Sequence, residues 1–329
     1  METVSPFVLA LSLTPLVFSF QPETKLTYGV DVQFDGFLPL MGGNEGKVDI
    51  KMGVSVKGAE PDGSKLVAVS EITAFEVSFN GAKLPLDTSN VVEYFPKTTI
   101  KLASNGKILE TDAPDKKLPI RLPGLDVKHF PDVTYVPIEF SDADLAVDDH
   151  WTFSRDFGGA PVVYQCTAQK VTGEVWTIKV DLKQVYQVLE SPTYEVVEKP
   201  EDAVSDVTTT MTGVGTVEFD AAKGRVVTAK MSNTAVSDVK NIKSGVTVKR
   251  SLKTEYSIKL EASPRVARST SASTGHWWND TLAFGRNAVA FGKNAVAWLQ
   301  TAAMFGLRVL PRELEQLRPY VRKWAPWIQ

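Results

Sequence analysis

The stretch Gly213–Glu261, GVGTVEFDAAKGRVVTAKMSNTAVSDVKNIKSGVTVKRSLKTEYSIKLE, decides the fold class. Val217 and Phe219 point one way, Thr216, Glu218 and Asp220 the other. Tyr256, Ile258 and Leu260 then alternate with Glu255, Ser257, Lys259 and Glu261. A period of two places every apolar member on one face of a sheet. One greasy face and one wet face is the pattern of antiparallel pairing, since parallel strands are buried on both sides. Between the strands, DAAKG supplies a turn in which Gly224 takes a positive φ at no steric cost.

Working outward, the same style fills the preceding chain. Tyr28, Val30, Val32 and Phe34 alternate with Thr27, Asp31 and Gln33, and Val48, Ile50, Met52, Val54 and Val56 with Lys47, Asp49, Lys51 and Ser55. A third strand is expected over 65–79, and turns at EPDGSK, NGAK and Ser104-Asn105-Gly106. Trp176, Ile178, Val180 and Leu182 mark a very regular later strand. Residues 112–140 contain Pro114, Pro119, Pro123, Pro131 and Pro137, so they read as a connector between two meanders and not as a central strand. The expected architecture is mainly β: a long-stranded antiparallel meander forming a curved sheet or partial barrel, followed by a C-terminal amphipathic helical tail. Two separate meanders would each leave an open face, which favours one sheet.

The chain of 329 residues carries a net charge of −3, and no global field points to nucleic acid. From Arg265 to Gln329, nine Lys and Arg stand against three acids, and five of the seven Trp sit there. Cys166 is the only cysteine, so neither an internal disulfide nor a Cys-based metal site can form, and a small buried hydrophobe is the expected role.

At the N-terminus, PFVLALSLTPLVF has the length of a secretory apolar core and is too short to span a bilayer. Residues 1–19 are expected to be a signal peptide cleaved after Ser19, with a buried first strand as the alternative. The signal reading places the mature protein outside the cytoplasm, in a bacterial periplasm or envelope or secreted.

The segment LAVDDHWTF (Leu145–Phe153) resembles the l-x-v-G-d-x-W signature of a bacterial family of β-rich secreted proteins and lipoproteins of unknown function. GVGTVEFDAAKGRVV (Gly213–Val227) resembles that family's G-x-G-x-x-x-F-D-x-x-x-G-R hairpin, and TKLTYGVDVQF its first strand. Asp148 stands where the family prefers Gly. The resemblance, over roughly 24–261, implies an exported, β-rich, non-enzymatic protein and offers no catalytic residues.

Candidate chemistry is sparse. Asp142, Asp144, Asp148 and Asp149 lack the spacing of a calcium loop and read as a solvated turn. His129, His150 and His276 fall in different segments with no nucleophile at motif spacing. Gly213-x-Gly215 is followed by no helix, so it reads as a bulge or bend and not as a phosphate cradle. No catalytic, cofactor or metal residues are assigned.

The tail is the one candidate site. After a linker over 263–275, the basic, Trp-rich segment 276–329 contains AFGRNAV, AFGKNAV, AWLQTAA and MFGLRVL in succession. Phe284, Phe291, Trp298 and Phe305 recur every seven residues and form one drifting helical stripe. Arg286 and Lys293 lie opposite, Arg308 follows, and Pro311 opens a second helix ending near Trp324 and Trp327. With Trp277 and Trp278, these side chains are expected to attach the protein to a membrane surface or partner. Packing on the protein's own sheet and self-association of the tail are the competing readings. Three functions follow: an exported non-enzymatic protein attached through its tail, a periplasmic carrier of a lipid or other amphiphile in a curved sheet closed by the tail helix, or an outer-membrane barrel.

Overall fold

The computed structural model describes residues 15–39, 43–84, 95–113, 132–156 and 160–261. All but Gly43 belong to one compact unit. The tail, with every attachment residue expected there, and the greater part of the expected signal peptide lie outside the described residues.

The alternating stretches are strands. In the early half these are β1 (Lys25–Leu38), β2 (Asn44–Asp62), β3 (Lys65–Phe79), β4 (Ala82–Lys83), β5 (Thr98–Leu102) and β6 (Ile108–Thr111). Among the described residues of the connector, Asp132–Tyr135 form a helical turn, α1. The later half contains β7 (His150–Asp156), β8 (Pro161–Thr172), β9 (Val175–Glu190), β10 (Val196–Val197), β11 (Ser205–Asp220), β12 (Arg225–Asn241) and β13 (Thr247–Leu260).

All the strands enter a single antiparallel sheet in the order β6-β5-β3-β2-β1-β13-β12-β11-β9-β8-β7, with β4 beside β3 and β10 beside β9. Its seam is the pairing of β1 with β13, running from Tyr28 opposite Leu260 to Gly36 opposite Leu252. The first and last strands thus fuse the two meanders into one surface, and a nine-pair ladder satisfies backbone groups that two separate sheets would leave as open edges. The described path ends at β6 on one side and β7 on the other, so the sheet is open.

The sheet also curls. The amide of Phe18 donates to the Ser104 carbonyl in the β5–β6 turn at 2.7 Å, and the amide of Ser19 to the Gly224 carbonyl in the β11–β12 turn at 2.8 Å. Amides of consecutive residues lie close together, so those carbonyls are within about 10 Å of each other. On a flat sheet, β5 and β12 stand five strand spacings apart, about 24 Å. Strong coiling of long strands resolves the difference.

The inner face carries the apolar phase. Trp176, Ile178, Val180 and Leu182 are at most 6% exposed, and Tyr28, Val30, Val54, Val56, Val217 and Phe219 at most 2%. An inner layer without regular strands lies on it. Leu16, Phe18 and Phe20 come from the N-terminal segment, and Tyr135, Val136, Ile138, Phe140 and Leu145 from the end of the connector, all buried in one cluster with the sheet. The ring of Phe140 stands 4.7 Å from that of Phe219, and that of Phe20 5.8 Å from that of Tyr135, both edge-on. The expected cleavage point after Ser19 falls inside this packed segment, between buried Phe18 and buried Phe20.

Gly224 has φ +58 as the turn requires, and a Cβ there would meet Ser19 N at 2.6 Å. Asp148, which stands where the resembled family prefers glycine, has φ 71, a conformation that Asp tolerates better than most residues. The Gly213-x-Gly215 pair does not form the expected bulge: the register shift between β11 and β12 lies at Glu218/Phe219. The glycines serve space instead, as the inner face makes plain.

Candidate functional site: the inner face beyond the aromatic layer

Two rows of side chains cross the inner face next to the aromatic layer. One runs Trp151, Cys166, Val180, Gly215, Met231, Tyr256, Val32, Ile50. The next runs Phe153, Tyr164, Leu182, Gly213, Asn233, Thr254, Phe34, Val48. Val32, Ile50, Phe153 and Tyr256 are only partly buried where they pack against the core.

The glycines of β11 create the relief of this face. A Cβ on Gly213 would lie 2.1 Å from Asn233 Oδ1, and one on Gly215 would lie 2.2 Å from Met231 Sδ and 2.4 Å from the Lys230 carbonyl oxygen. Side chains of β12 therefore fold across β11 toward β9. This is why a glycine-bearing strand sits in the middle of the sheet.

Polar groups intrude where the alternation calls for apolar ones. Asn233 is 3% exposed and its Oδ1 has no hydrogen-bond partner. Gln184, two residues beyond Leu182 on β9, is 2% exposed; its Nε2 donates to the Ala160 carbonyl at 2.8 Å while its Oε1 is unpartnered. Arg155, opposite Val162 on the β7–β8 ladder, donates from Nε to Glu139 Oε1 at 2.9 Å, with the two side chains 8% and 12% exposed. Its guanidinium carbon lies 5.4 Å from the Phe153 ring centroid, and its Nη2 is buried without a partner. Glu139 belongs to the connector, and its carbonyl accepts from Trp151 Nε1 at 2.8 Å, so the ion pair is held from both sides.

The electrostatics follow the burial. Desolvation pushes the Tyr256 hydroxyl far above its ordinary pKa; nearby Tyr164 adds to this and Arg155 opposes it. Burial likewise pushes the Cys166 thiol up to about 12, again opposed by Arg155.

At the other end of the face, Arg250 donates from Nη1 to Glu190 Oε2 at 2.7 Å. Its guanidinium carbon lies 4.3 Å from the Phe37 ring centroid and 5.1 Å from that of Tyr194. The two rings meet edge-on at 5.4 Å. A cavity of about 40 Å³ beside this cluster, lined by Phe37, Tyr186, Thr209, Arg250 and Leu252 among others, has room for a few waters and no more.

The other expectations fall elsewhere. Asp142 accepts from Asn105 Nδ2 at 2.9 Å and Asp149 from the Ala146 amide at 2.8 Å, so both brace turns. His150 is exposed with Nδ1 2.8 Å from Thr167 Oγ1, and Cys166 is buried in the inner face. Among the described residues no cluster of three or more His, Cys, Asp or Glu could hold a metal, and no helix is long and apolar enough to cross a membrane. His129, His276 and Trp277, Trp278, Phe284, Arg286, Phe291, Lys293, Trp298, Phe305, Arg308, Trp324 and Trp327 lie outside the described residues.

Sequence reasoning passed over Arg155, Gln184 and Asn233. The signal that finds them is phase: Gln184 continues the series Trp176, Ile178, Val180, Leu182, and Arg155 continues Trp151, Phe153. A polar residue in the inward phase of a clean strand is a buried polar group and needs an explanation.

No family model matches the chain, and no match emerges among curated proteins. Among solved structures it is similar to a chain of lipovitellin, solved for its lipid–protein interactions, with 13% identity over 74% of this chain and a TM-score of 0.45. This chain spans only 25% of that one. It is also similar to DynF of the dynemicin biosynthesis pathway of Micromonospora chersina, with 7% identity, coverage of 79% and 92% and a TM-score of 0.21. A third likeness is to an exported Bacteroides fragilis protein with a YmcC-like fold, with 12% identity, coverage of 74% and 99% and a TM-score of 0.19. At these identities and TM-scores the likenesses carry no ligand, partner or activity to this chain.

Proposed function

We propose that the protein is a non-enzymatic carrier or receptor that holds a lipid or other amphiphile against the inner face of its curled sheet, outside the cytoplasm. The observation that carries this reading is the partly buried apolar row Tyr256, Val32, Ile50, beyond the aromatic layer on an inner face that also buries polar groups of Arg155, Gln184 and Asn233. An apolar groove with a few convergent polar groups is the usual form of a small-molecule site. Folding alone gains little from a curled, open sheet with polar atoms left unpaired inside it. Native mass spectrometry of protein purified from its own host without detergent tests the reading. A bound amphiphile is expected; a ligand-free protein that also fails to take up a fluorescent fatty-acid analogue overturns it.

A second reading concerns the tail. The seven-residue aromatic repeat and the basic, Trp-rich composition of 276–329 favour attachment to an anionic bilayer surface, which would deliver a carrier to its source or destination. Co-sedimentation with anionic vesicles, with and without residues 275–329, should show binding only for the longer protein. Equal partitioning removes the attachment role and leaves the carrier reading untouched.

A further inference from the structure

The end of the strands opposite the aromatic layer presents aliphatic side chains to water. We propose that the tip of the β12–β13 hairpin, Ile242, Val246 and Val248 with Lys243, enters the headgroup boundary of a lipid bilayer. The inference concerns the sheet domain itself. It goes beyond the attachment role given to 276–329 and does not depend on it.

The first observation is where the tip stands. The aromatic layer fills the end of the curl at the β5–β6 and β11–β12 turns, where Phe18 and Ser19 donate to Ser104 and Gly224. At the other end the β12–β13 ladder runs on to Lys240 opposite Thr247. The β1–β13 ladder has already stopped at Gly36 opposite Leu252, and β11 begins only at Ser205, opposite Asn241. The turn after Asn241 therefore lies past the ends of both neighbouring ladders.

The second is what it exposes. The inward phase of β13 leaves the core here: Leu252 is 5% exposed, Val248 53% and Val246 60%, and Ile242 in the turn is 46% exposed. Single exposed aliphatic residues are ordinary, but these share one hairpin tip. The turn is also braced. Asn241 Oδ1 accepts from the amides of Lys243 at 3.1 Å and Ser244 at 2.9 Å, and the Asn241 amide donates to the Val246 carbonyl at 2.9 Å. Gly245 supplies the positive φ of +71. A tip held this way cannot fold its side chains back into the core, and it needs little ordering to bind.

The third is what fits. A stable protein–protein contact covers roughly 800 Å² on each partner, more than one hairpin tip offers. A bilayer boundary accepts a narrow apolar wedge. Charge agrees at the tip, since 239–249 holds Lys240, Lys243 and Lys249 and no acid. Lys249 pairs with Asp238 at 2.7 Å and Lys240 stands opposite Asp206, which leaves Lys243 to meet a lipid phosphate. The neighbouring segment 191–204 carries Glu195, Glu198, Glu201 and Asp202 against Lys199, so the wider surroundings do not favour an anionic surface. The contact rests on the aliphatic tip, and neutral lipid should serve it as well as anionic lipid does.

The test uses the full-length protein with an environment-sensitive fluorophore at Thr247→Cys, beside the tip, or at Ser64→Cys, in the β2–β3 turn at the opposite end. Cys166 is buried and stays unlabelled. Vesicles of phosphatidylcholine, with or without phosphatidylglycerol, should raise the emission of the Thr247→Cys label several-fold and leave the Ser64→Cys label unchanged. Adding Ile242→Asp and Val246→Asp should return the emission to its lipid-free level, with near-ultraviolet circular dichroism confirming the fold. A Thr247→Cys label that stays silent while the protein co-sediments with anionic vesicles overturns the tip and leaves the tail reading standing. A rise that survives the two aspartates, or that occurs equally at Ser64→Cys, also overturns it. A label that answers to membrane-free host extract and not to vesicles assigns the tip to a protein partner and overturns the lipid assignment. If no vesicle retains the protein, both attachment readings fail.

Discussion

The ring of Phe18 meets that of Phe219 edge-on, with centroids 5.1 Å apart. Phe18 lies in the segment expected to be removed on export, and Phe219 in the hairpin that defines the fold class. With this contact, Leu16, Phe18 and Phe20 are part of the hydrophobic core. Phe18→Ala should destabilise the protein by about 3–5 kcal/mol, as aromatic-to-alanine changes in a packed core do, measured by urea unfolding. A protein beginning at Pro15 should keep the native melting transition, and one beginning at Phe20 should lose it. N-terminal sequencing of any processed form should find a start upstream of Leu16; a start at Phe20 in a folded protein would refute this account of the inner layer.

Gly215 has no room for a side chain, because the Lys230 carbonyl oxygen is backbone and cannot step aside. Gly215→Ala should cost about 1–3 kcal/mol of stability, the scale of overpacking. A Cβ on Gly213 meets Asn233 Oδ1 at 2.1 Å and Leu182 Cγ at 3.0 Å, so combining Gly213→Ala with Asn233→Ala should recover part but not all of its loss. Additive losses in the thermal melts of the single and double variants would show that Asn233 does not lean on Gly213.

Arg250 is held by Glu190 on one side and by the rings of Phe37 and Tyr194 on the others. Lysine cannot reproduce the planar stacking, so Arg250→Lys should destabilise despite keeping the charge. Glu190→Gln leaves a partly buried cation unpaired and should cost about 2 kcal/mol, less than the roughly 3–5 of a fully buried pair because the Arg250 side chain keeps some solvent. Replacing both residues by Met and Gln should recover a good part of either loss. A double variant no more stable than its parents would count against the pairing.

Burial raises the Cys166 thiol from 9.0 to about 12. At pH 8 only about one thiol in ten thousand is then ionised in the folded protein. Ellman's reagent should react with the native protein far more slowly than with the urea-unfolded chain. The folded state holds this proton more tightly than the unfolded one, so the stabilisation it lends is complete below pH 9 and is lost as the pH climbs toward 12. Tyr28 and Tyr256, raised by the same desolvation, act in the same alkaline direction. Unfolding midpoints should fall across that window, and Cys166→Ala should soften its early part.

The strands were legible because alternation is local: Lys65–Phe79 folds over the expected span, and Trp176 to Leu182 face inward as their spacing demands. Over the described residues 132–140 the expected connector contains no strand, in keeping with Pro137, since proline's missing donor is a property of the residue. The pairing of Tyr28 with Leu260 was not legible, because nothing near either residue encodes a partner more than two hundred positions away. Nor was the service of Leu16 and Phe18 in the core. A short apolar run reads alike as an export signal or as buried chain until something is seen to pack against it.

By itself, then, the sequence determined the phase of each strand, the turns between them and the uneven placement of charge and tryptophan. These depend on neighbours within a few residues. Only the tertiary structure decided that two meanders share one sheet, that this sheet curls around an aromatic layer, and that polar atoms of Arg155, Gln184 and Asn233 are buried in the inner face. Those outcomes depend on distances across the fold, which no local pattern records.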